Sequence, residues 1–532
     1  MLDLKIEGAV VVDGTGAPGF RADLGIRDEQ IAAVGDLSCE PAGLTLRAHG
    51  LTLAPGFIDM HSHSDWRLWA NRRAESKIRQ GVTTEVVGNC GFSPAPVNPG
   101  FREDLRGFAL YLPRGMDFSW GSMKEYLERF DQEGCALNVI QLVGHGTLRI
   151  AAMGFARRAP APGELEAMKR LVAESLEGGA WGLSTGLIYA PGSFAETTEI
   201  VELARVAGRY RGLYASHIRG EGSNLLSAVT EAIQVGREGE LPVEVSHLKA
   251  AGRLHWGKVG EAIALIEAAR ADGLDVTADA YPYTASSTTL RTLLPDWALE
   301  GGIEAMLKRL ANPETRARIT GEVEGGRGGP EDFKANVGWH DIMVAYAPSR
   351  RDAEGRRLSE IARAWGLTPA EAALELIQAE HGKASMILFQ LDEADLRRVL
   401  ACPHVMIGSD GSALATHGEL SQGKPHPRSY GTFPRVIARY SREERLLSLE
   451  QAVHKMTGLP AKKLGLADRG VIRVGAKADL VAFNHRTVSD QASYEAPHQY
   501  PTGIEHVLVN GRLVIKEGEH TGSLPGKVLT PS

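Results

Sequence analysis

The chain places metal-ligating side chains where apolar runs end. Gly56-Phe-Ile-Asp-Met is followed by His61-Ser-His63, and residues i and i+2 of an extended segment share a face, so both rings can enter one cavity. Tyr214-Ala-Ser closes on His217, Glu244-Val-Ser on His247, and Ile407-Gly-Ser on Asp410. Either of the two lone histidines, taken by itself, reads as a satisfied structural residue. Strand ends that jointly deliver imidazoles and a carboxylate suit zinc or a related divalent ion. An ion with an open coordination position polarises a carbonyl and acidifies water, which is hydrolytic chemistry.

Such residues converge only if parallel strands deliver them to one face. Strand candidates are Phe57–His61, Thr83–Cys90, Asn138–Gly144, Gly182–Leu187, Leu213–His217, Val243–Leu248, Val276–Tyr281 and Val405–Asp410. Between them, Gly163–Glu177, Ala195–Arg209 and Gly257–Ala271 space apolar residues three and four apart, as amphipathic helices do. Alternating strands and helices predict an α/β fold, a (β/α)8 TIM-like barrel over residues 55–465, with the polar residues at its C-terminal mouth. Ser385-Met-Ile-Leu-Phe could add a ninth strand. The interval 293–348 is too long for a crossover and reads as an inserted helical subdomain, with a mobile Gly-Gly-Arg-Gly-Gly-Pro stretch at 325–330. Short β-rich stretches at both ends, including a hairpin turning at Asn510-Gly511, predict a small β-sandwich domain from residues 1–54 and 466–532.

The bulk numbers exclude other classes. At 532 residues, 43% hydrophobic and 23% charged, the chain can bury a large core. Its net charge of −7 comes without a strong basic block, so neither nucleic acid nor an anionic membrane surface is an expected partner. No basic leader with an apolar core opens the sequence, and no run of about 18 apolar residues occurs. Four cysteines, Cys39, Cys90, Cys135 and Cys402, are few for a disulfide framework. A cytoplasmic location with reduced thiols is the expectation, and the oligomeric state stays open.

Leu53-Ala-Pro-Gly-Phe-Ile-Asp-Met-His-Ser-His, with the later single histidines and Asp410, resembles the amidohydrolase superfamily. The finer resemblance is to the D-aminoacylase (N-acyl-D-amino-acid deacylase) family. It rests on Gly88-Asn-Cys-Gly-Phe-Ser-Pro, Gly144-His-Gly-Thr-Leu-Arg, Gly182-Leu-Ser-Thr-Gly-Leu-Ile-Tyr-Ala-Pro-Gly and Ser216-His-Ile-Arg-Gly-Glu-Gly. Further along, Ser246-His-Leu-Lys, Asp279-Ala-Tyr-Pro-Tyr-Thr-Ala, Gly408-Ser-Asp-Gly and His426-Pro-Arg-Ser-Tyr-Gly match in order, so the resemblance spans nearly the whole chain.

That resemblance implies a zinc enzyme hydrolysing the amide of N-acyl-D-amino acids. It implies that Cys90 is a zinc ligand, so that Cys90, His217 and His247 hold one tight zinc. His61, His63 and Asp410 would line a second, weaker position with Cys90 as a bridge. Asp410 would act as general base, although it could instead be mainly a ligand. Cys39, Cys135 and Cys402 have no such context and are expected to pack. Lys249, Tyr281 and Arg428 are implied as the clamp for the substrate α-carboxylate, with Tyr189 and Ser287 as further pocket residues. Lys249 lies two residues beyond His247, hence on the same face of an extended segment. Members preferring acidic side chains carry an arginine beyond Tyr-Pro-Tyr. Residues 296–302 here hold none, although Arg291 lies a little earlier, so a neutral or hydrophobic side chain is expected. The loop between Asp410 and Arg428 is longer than usual and bears on the pocket's roof. Rival readings are a hydantoinase- or dihydroorotase-like cyclic-amide hydrolase, a D-terminal dipeptide hydrolase, and a non-enzymatic scaffold.

Overall fold

A computed structural model describes residues 1–109, 111–113, 115–326 and 337–531. Residues Phe57–Asp59, Val82–Val87 and Asn138–Gln141 form a three-stranded sheet. A six-stranded sheet runs from Val143–Gly144 through Gly182–Gly186, Leu213–His217, Val243–Val245 and Val276–Ala280 to Val405–Ile407. Every pairing within both sheets is parallel. Leu142 links the two sheets along the chain, its N–H donating to Val87 O at 2.9 Å. At the other end a parallel bridge joins Ser62 to Gly411, bringing the first strand against the last. These strands are buried along their whole length, and several carry polar residues inside, among them Glu85, Thr185, Ser216 and Asp279.

Helices Pro162–Glu177, Thr197–Arg209, Leu225–Gly239 and Val259–Ala271 cross between the strands. Thr197–Arg209 shows why. Ile200, Val201, Leu203, Ala204 and Ala207 are buried on one side, while Arg205 and Arg209 sit outside. Both ends of the chain meet in one nine-stranded sheet, where Leu480–Phe483 runs antiparallel to Thr52–Pro55. The hairpin Ile504–Val509 to Arg512–Lys516 turns through Asn510 and Gly511, both with positive φ.

Three expectations need correction. The insertion is larger than 293–348 and is not purely helical. It carries an antiparallel sheet of Ser286–Thr289, Ser385–Leu388 and Ile342–Tyr346, with its own core of Leu290, Met306, Ile319, Val344, Ile361 and Met386. The suggested ninth strand at Ser385 belongs to this sheet. Its partners are about a hundred residues upstream and forty upstream in sequence, a pairing that local periodicity does not encode. Cys39 is exposed rather than packed, whereas Cys135 and Cys402 are buried. Most of the glycine-rich stretch, residues 327–330, lies outside the described residues.

Close backbone packing at the mouth depends on Gly186. A Cβ there would fall 2.1 Å from Cys90 O, a backbone atom. Gly186→Ala is therefore expected to cost about 1–3 kcal/mol of stability, as overpacking does. A lower urea midpoint at unchanged m-value would report it, and an unchanged midpoint would refute the tight fit.

Candidate metal centre

The strand ends do not continue straight. Cys90, His247 and Asp410 adopt positive φ of 54°, 36° and 50°, a region costing side-chain-bearing residues about 1–3 kcal/mol each. The turns swing their side chains from the strand direction into a shared space, so the extended-face argument for Lys249 does not describe the backbone here. Asp410 N–H donates to His61 O at 2.7 Å, and His63 N–H to Gly411 O at 2.7 Å, stitching the first and last strand ends together.

Cys90 Sγ is the hub. It lies 3.3 Å from His61 Nε2, 3.6 Å from His217 Nδ1 and 3.7 Å from His247 Nε2. Asp410 Oδ1 lies 3.1 Å from His63 Nε2 and 3.6 Å from His61 Nε2. A tetrahedral zinc with bonds of about 2.3 Å to sulfur and about 2.0 Å to nitrogen separates those donors by about 3.5 Å. The Cys90–His217 and Cys90–His247 separations fit that span, and His61, His63 and Asp410 converge as a second donor group. All six expected ligands are thus brought together.

Electrostatics favour the ligating form of Cys90, Asp410 and His217. Against the pull of burial, by contrast, Asp279 and Cys90 push His61 up, Cys90 and Asp410 push His63 up to about 9, and Glu221 and Asp410 push His247 up. Burial alone would raise the Cys90 pKa, but the His61 and His63 imidazoles outweigh it and hold the thiol well below its usual range. Burial likewise opposes the Asp410 carboxylate, yet Arg428 and the neighbouring imidazoles hold it well below the carboxylate range. His217 is pushed down by burial and by His247, which favours the neutral, ligating ring.

Two acids absent from the expected site support these ligands. Asp279 Oδ2 meets His61 Nδ1 at 3.3 Å, while its Oδ1 accepts from His247 N–H at 3.0 Å. Glu221 Oε1 lies 2.9 Å from His247 Nδ1 and 4.0 Å from His217 Nε2. A carboxylate behind an imidazole fixes which nitrogen faces the metal. Glu221, His217 and His247 form a third donor group, but the Lys249 ammonium already sits in it, on Glu221 and 2.8 Å from His247 Nδ1. The cation there is a side chain. Both acids fall inside the Asp279-Ala-Tyr and Ser216-to-Glu221 segments, which was the available signal.

The remaining expected residues surround the centre. A cavity of about 280 Å³ is lined by His63, Tyr189, Ser287, Asp410 and Arg428. Arg428 Nη1 lies 2.8 Å from Asp410 Oδ2, its Nη2 donates to Ser287 O at 3.2 Å, and its guanidinium stacks over Tyr281. The Tyr189 ring is 5.1 Å from that of His217. Lys249 and Tyr281 instead line a smaller neighbouring cavity, and the buried Tyr281 hydroxyl has no hydrogen-bond partner among the described residues. The long loop after Asp410 roofs the main cavity through Glu419, Leu420 and Gln422, and Lys424 N–H ties it to Ala345 O of the insertion.

The amidohydrolase family profile matches residues 46–515, and the chain belongs to that family. More narrowly, it is 41% identical to N-acyl-D-glutamate deacylase of Alcaligenes xylosoxydans xylosoxydans, over 99% of this chain and 96% of that protein. It is 39% identical to D-aminoacylase of the same organism, over 99% of this chain and 97% of the other. The crystal structure of N-acyl-D-glutamate deacylase from Bordetella bronchiseptica, complexed with zinc and a phosphonate mimic of the tetrahedral intermediate, superposes with a TM-score of 0.84. It is 37% identical and covers all of both chains. The mixed α/β fold is that of the amidohydrolase barrel enzymes.

Glu221→Gln keeps a hydrogen-bond acceptor but removes the charge behind both imidazoles. Zinc affinity, measured by equilibrium dialysis, is expected to fall about 10- to 100-fold. Unchanged affinity would show that Glu221 does not orient the ligands.

Proposed function

We propose that this protein is a zinc-dependent N-acyl-D-amino-acid deacylase, cleaving the amide of its substrate to a carboxylate and a free D-amino acid. The observation that carries this reading is the Cys90-centred donor cluster opening on a cavity that also holds Arg428. Cys90, His217 and His247 would hold one zinc, and His61, His63 and Asp410, with Cys90 as bridge, a second. Zinc held there supplies Lewis-acid polarisation of the amide carbonyl and acidifies water.

The chain's own residues do the rest. Asp410, ionised by its surroundings, takes a proton from the attacking water as the oxygen adds to the carbonyl carbon. It returns that proton to the nitrogen as the C–N bond breaks. Arg428 is paired with Asp410 before substrate arrives, and a substrate α-carboxylate would offer it a second anionic partner. The Tyr281 ring, whose hydroxyl has no hydrogen-bond partner among the described residues, is faced by the Arg428 guanidinium at 4.8 Å and by the Lys249 ammonium at 5.7 Å, which supports the clamp. For the chain as a whole we read a barrel over residues 55–465 closed through the Ser62–Gly411 bridge, with the terminal strands as a separate small β domain. Among the described residues no helix is long and apolar enough to cross a membrane.

The side-chain class has two readings. A pocket walled by Phe92, Phe108, Ile188, Tyr189 and Met306 favours neutral or hydrophobic groups. Arg291 favours acidic ones. It lines the same pocket, its Nη1 donates to Gly107 O at 3.2 Å, and no described carboxylate pairs with it. Burial pulls it down to about 10.

A panel of N-acetyl-D- and N-acetyl-L-amino acids, with released amine quantified, tests the proposal. Turnover of D-substrates alone is expected. Asp410→Asn should lower kcat about 10²- to 10⁴-fold, and Cys90→Ala should lose both zinc and turnover. Arg291→Leu should spare N-acetyl-D-leucine if the pocket is apolar, and abolish a preference for N-acetyl-D-glutamate if it is not. Turnover of hydantoins or dihydroorotate, with neither enantiomer of the linear substrates accepted, would overturn the assignment.

A further inference from the structure

Beneath the metal centre lies a second charged cluster that takes no part in the proposed chemistry. Lys77 is fully buried on the short helix Glu75–Ile78. Its ammonium lies 2.7 Å from Asp59 Oδ2, 2.6 Å from Ser409 Oγ and 3.0 Å from Glu85 Oε1. Ser62 Oγ lies further off at 3.4 Å, and the three nearer partners match the three protons of an ammonium. Burying such a group in the core is costly unless it is this fully paired.

What the partners hold explains the cost. Asp59 Oδ1 accepts from Ser409 N–H at 2.8 Å and from His61 N–H at 3.3 Å. Ser409 Oγ accepts from Gly411 N–H at 3.0 Å, so both neighbours of Asp410 are tied to the cluster. Glu85 Oε1 accepts from Ser62 Oγ at 2.7 Å and Ser64 Oγ at 3.0 Å, the two neighbours of His63. Ser64 Oγ in turn accepts from Ala413 N–H at 2.8 Å, beyond Asp410. Every segment that supplies His61, His63 or Asp410 is therefore anchored to one ammonium. His247 is reached instead from Glu221 at 2.9 Å, with His217 Nε2 4.0 Å from the same oxygen, and among the described residues no contact of the Lys77 cluster touches Cys90.

We propose that Lys77 is a positioning residue: it clamps the ends of the first and last parallel strands so that His61, His63 and Asp410 stay in register, while leaving the Cys90–His217–His247 position to other supports. The inference rests on the metal reading above. It predicts a split that general destabilisation would not produce.

Stepwise zinc titration of the full-length protein, with bound metal quantified, reads that split in Lys77→Met and Ser409→Ala. Ser409→Ala removes one partner of the ammonium without stranding a charge, so it decides the matter should Lys77→Met fail to fold. Zinc at Cys90, His217 and His247 is expected to keep its affinity. Affinity at His61, His63 and Asp410 should weaken about 10- to 100-fold, and kcat should fall at unchanged KM. Equal weakening at both positions in step with a lowered Tm would make Lys77 a stability element only. Unchanged affinities and kcat would overturn the inference while leaving the metal centre intact. Wild-type protein that binds no zinc would overturn the metal reading, and this inference with it.

Discussion

A thiolate buried among imidazoles is the constraint from which the rest of this structure follows. Cys90 is 2% exposed, yet the neighbouring His61 and His63 rings, with hydrogen bonds from His217 and His247, hold its thiol well below the usual range against the penalty of burial. Such a group is tolerated only if cations meet it at close range and at several points. His61, His217 and His247 approach it from three different strands, so the sulfur dictates where those strands must end. The parallel sheet is the scaffold that can deliver them: its strands finish on one face, and a left-handed turn at each of Cys90, His247 and Asp410 completes the convergence.

Convergence of this kind leaves every ligand needing a partner on its far side. Asp279 backs His61, Glu221 backs His247, and Lys249 neutralises Glu221 in turn. Below them Asp59, Glu85 and Lys77 fasten the backbone between the ligands. The centre is thus a set of alternating charges two layers deep, in which removing one charge weakens the compensation of its buried neighbours. Strain in the turns is offset by that network and by the hydrogen bonds joining His61 to Asp410 and His63 to Gly411.

Much of this was legible in the sequence because parallel strands advertise themselves. His61, His217, His247 and Asp410 were legible because each closes a short β-prone run, and parallel strands deliver such end residues to one mouth. The role of Cys90 came only through family resemblance, since a lone cysteine after an apolar run is ordinary. Glu221 escaped notice because it works across space, from a loop four residues past His217 onto the ring of His247. The insertion was underestimated because Ser385–Leu388 lies between Ser286–Thr289 and Ile342–Tyr346, a sheet stitched from distant segments that no local pattern reveals. Lys249 was expected to share a strand face with His247 and to clamp a substrate carboxylate; a sharp turn at His247 instead brings its ammonium 2.8 Å from His247 Nδ1.

The central claim is that the Cys90 sulfur binds metal directly. Zinc-edge X-ray absorption on the protein loaded with one equivalent of zinc tests it without reference to any substrate. A first shell containing one sulfur at about 2.3 Å among nitrogen or oxygen donors at about 2.0 Å is the result this account predicts. A shell of nitrogen and oxygen alone would contradict it, and would return Cys90 to the status of a buried residue whose charge has some other purpose.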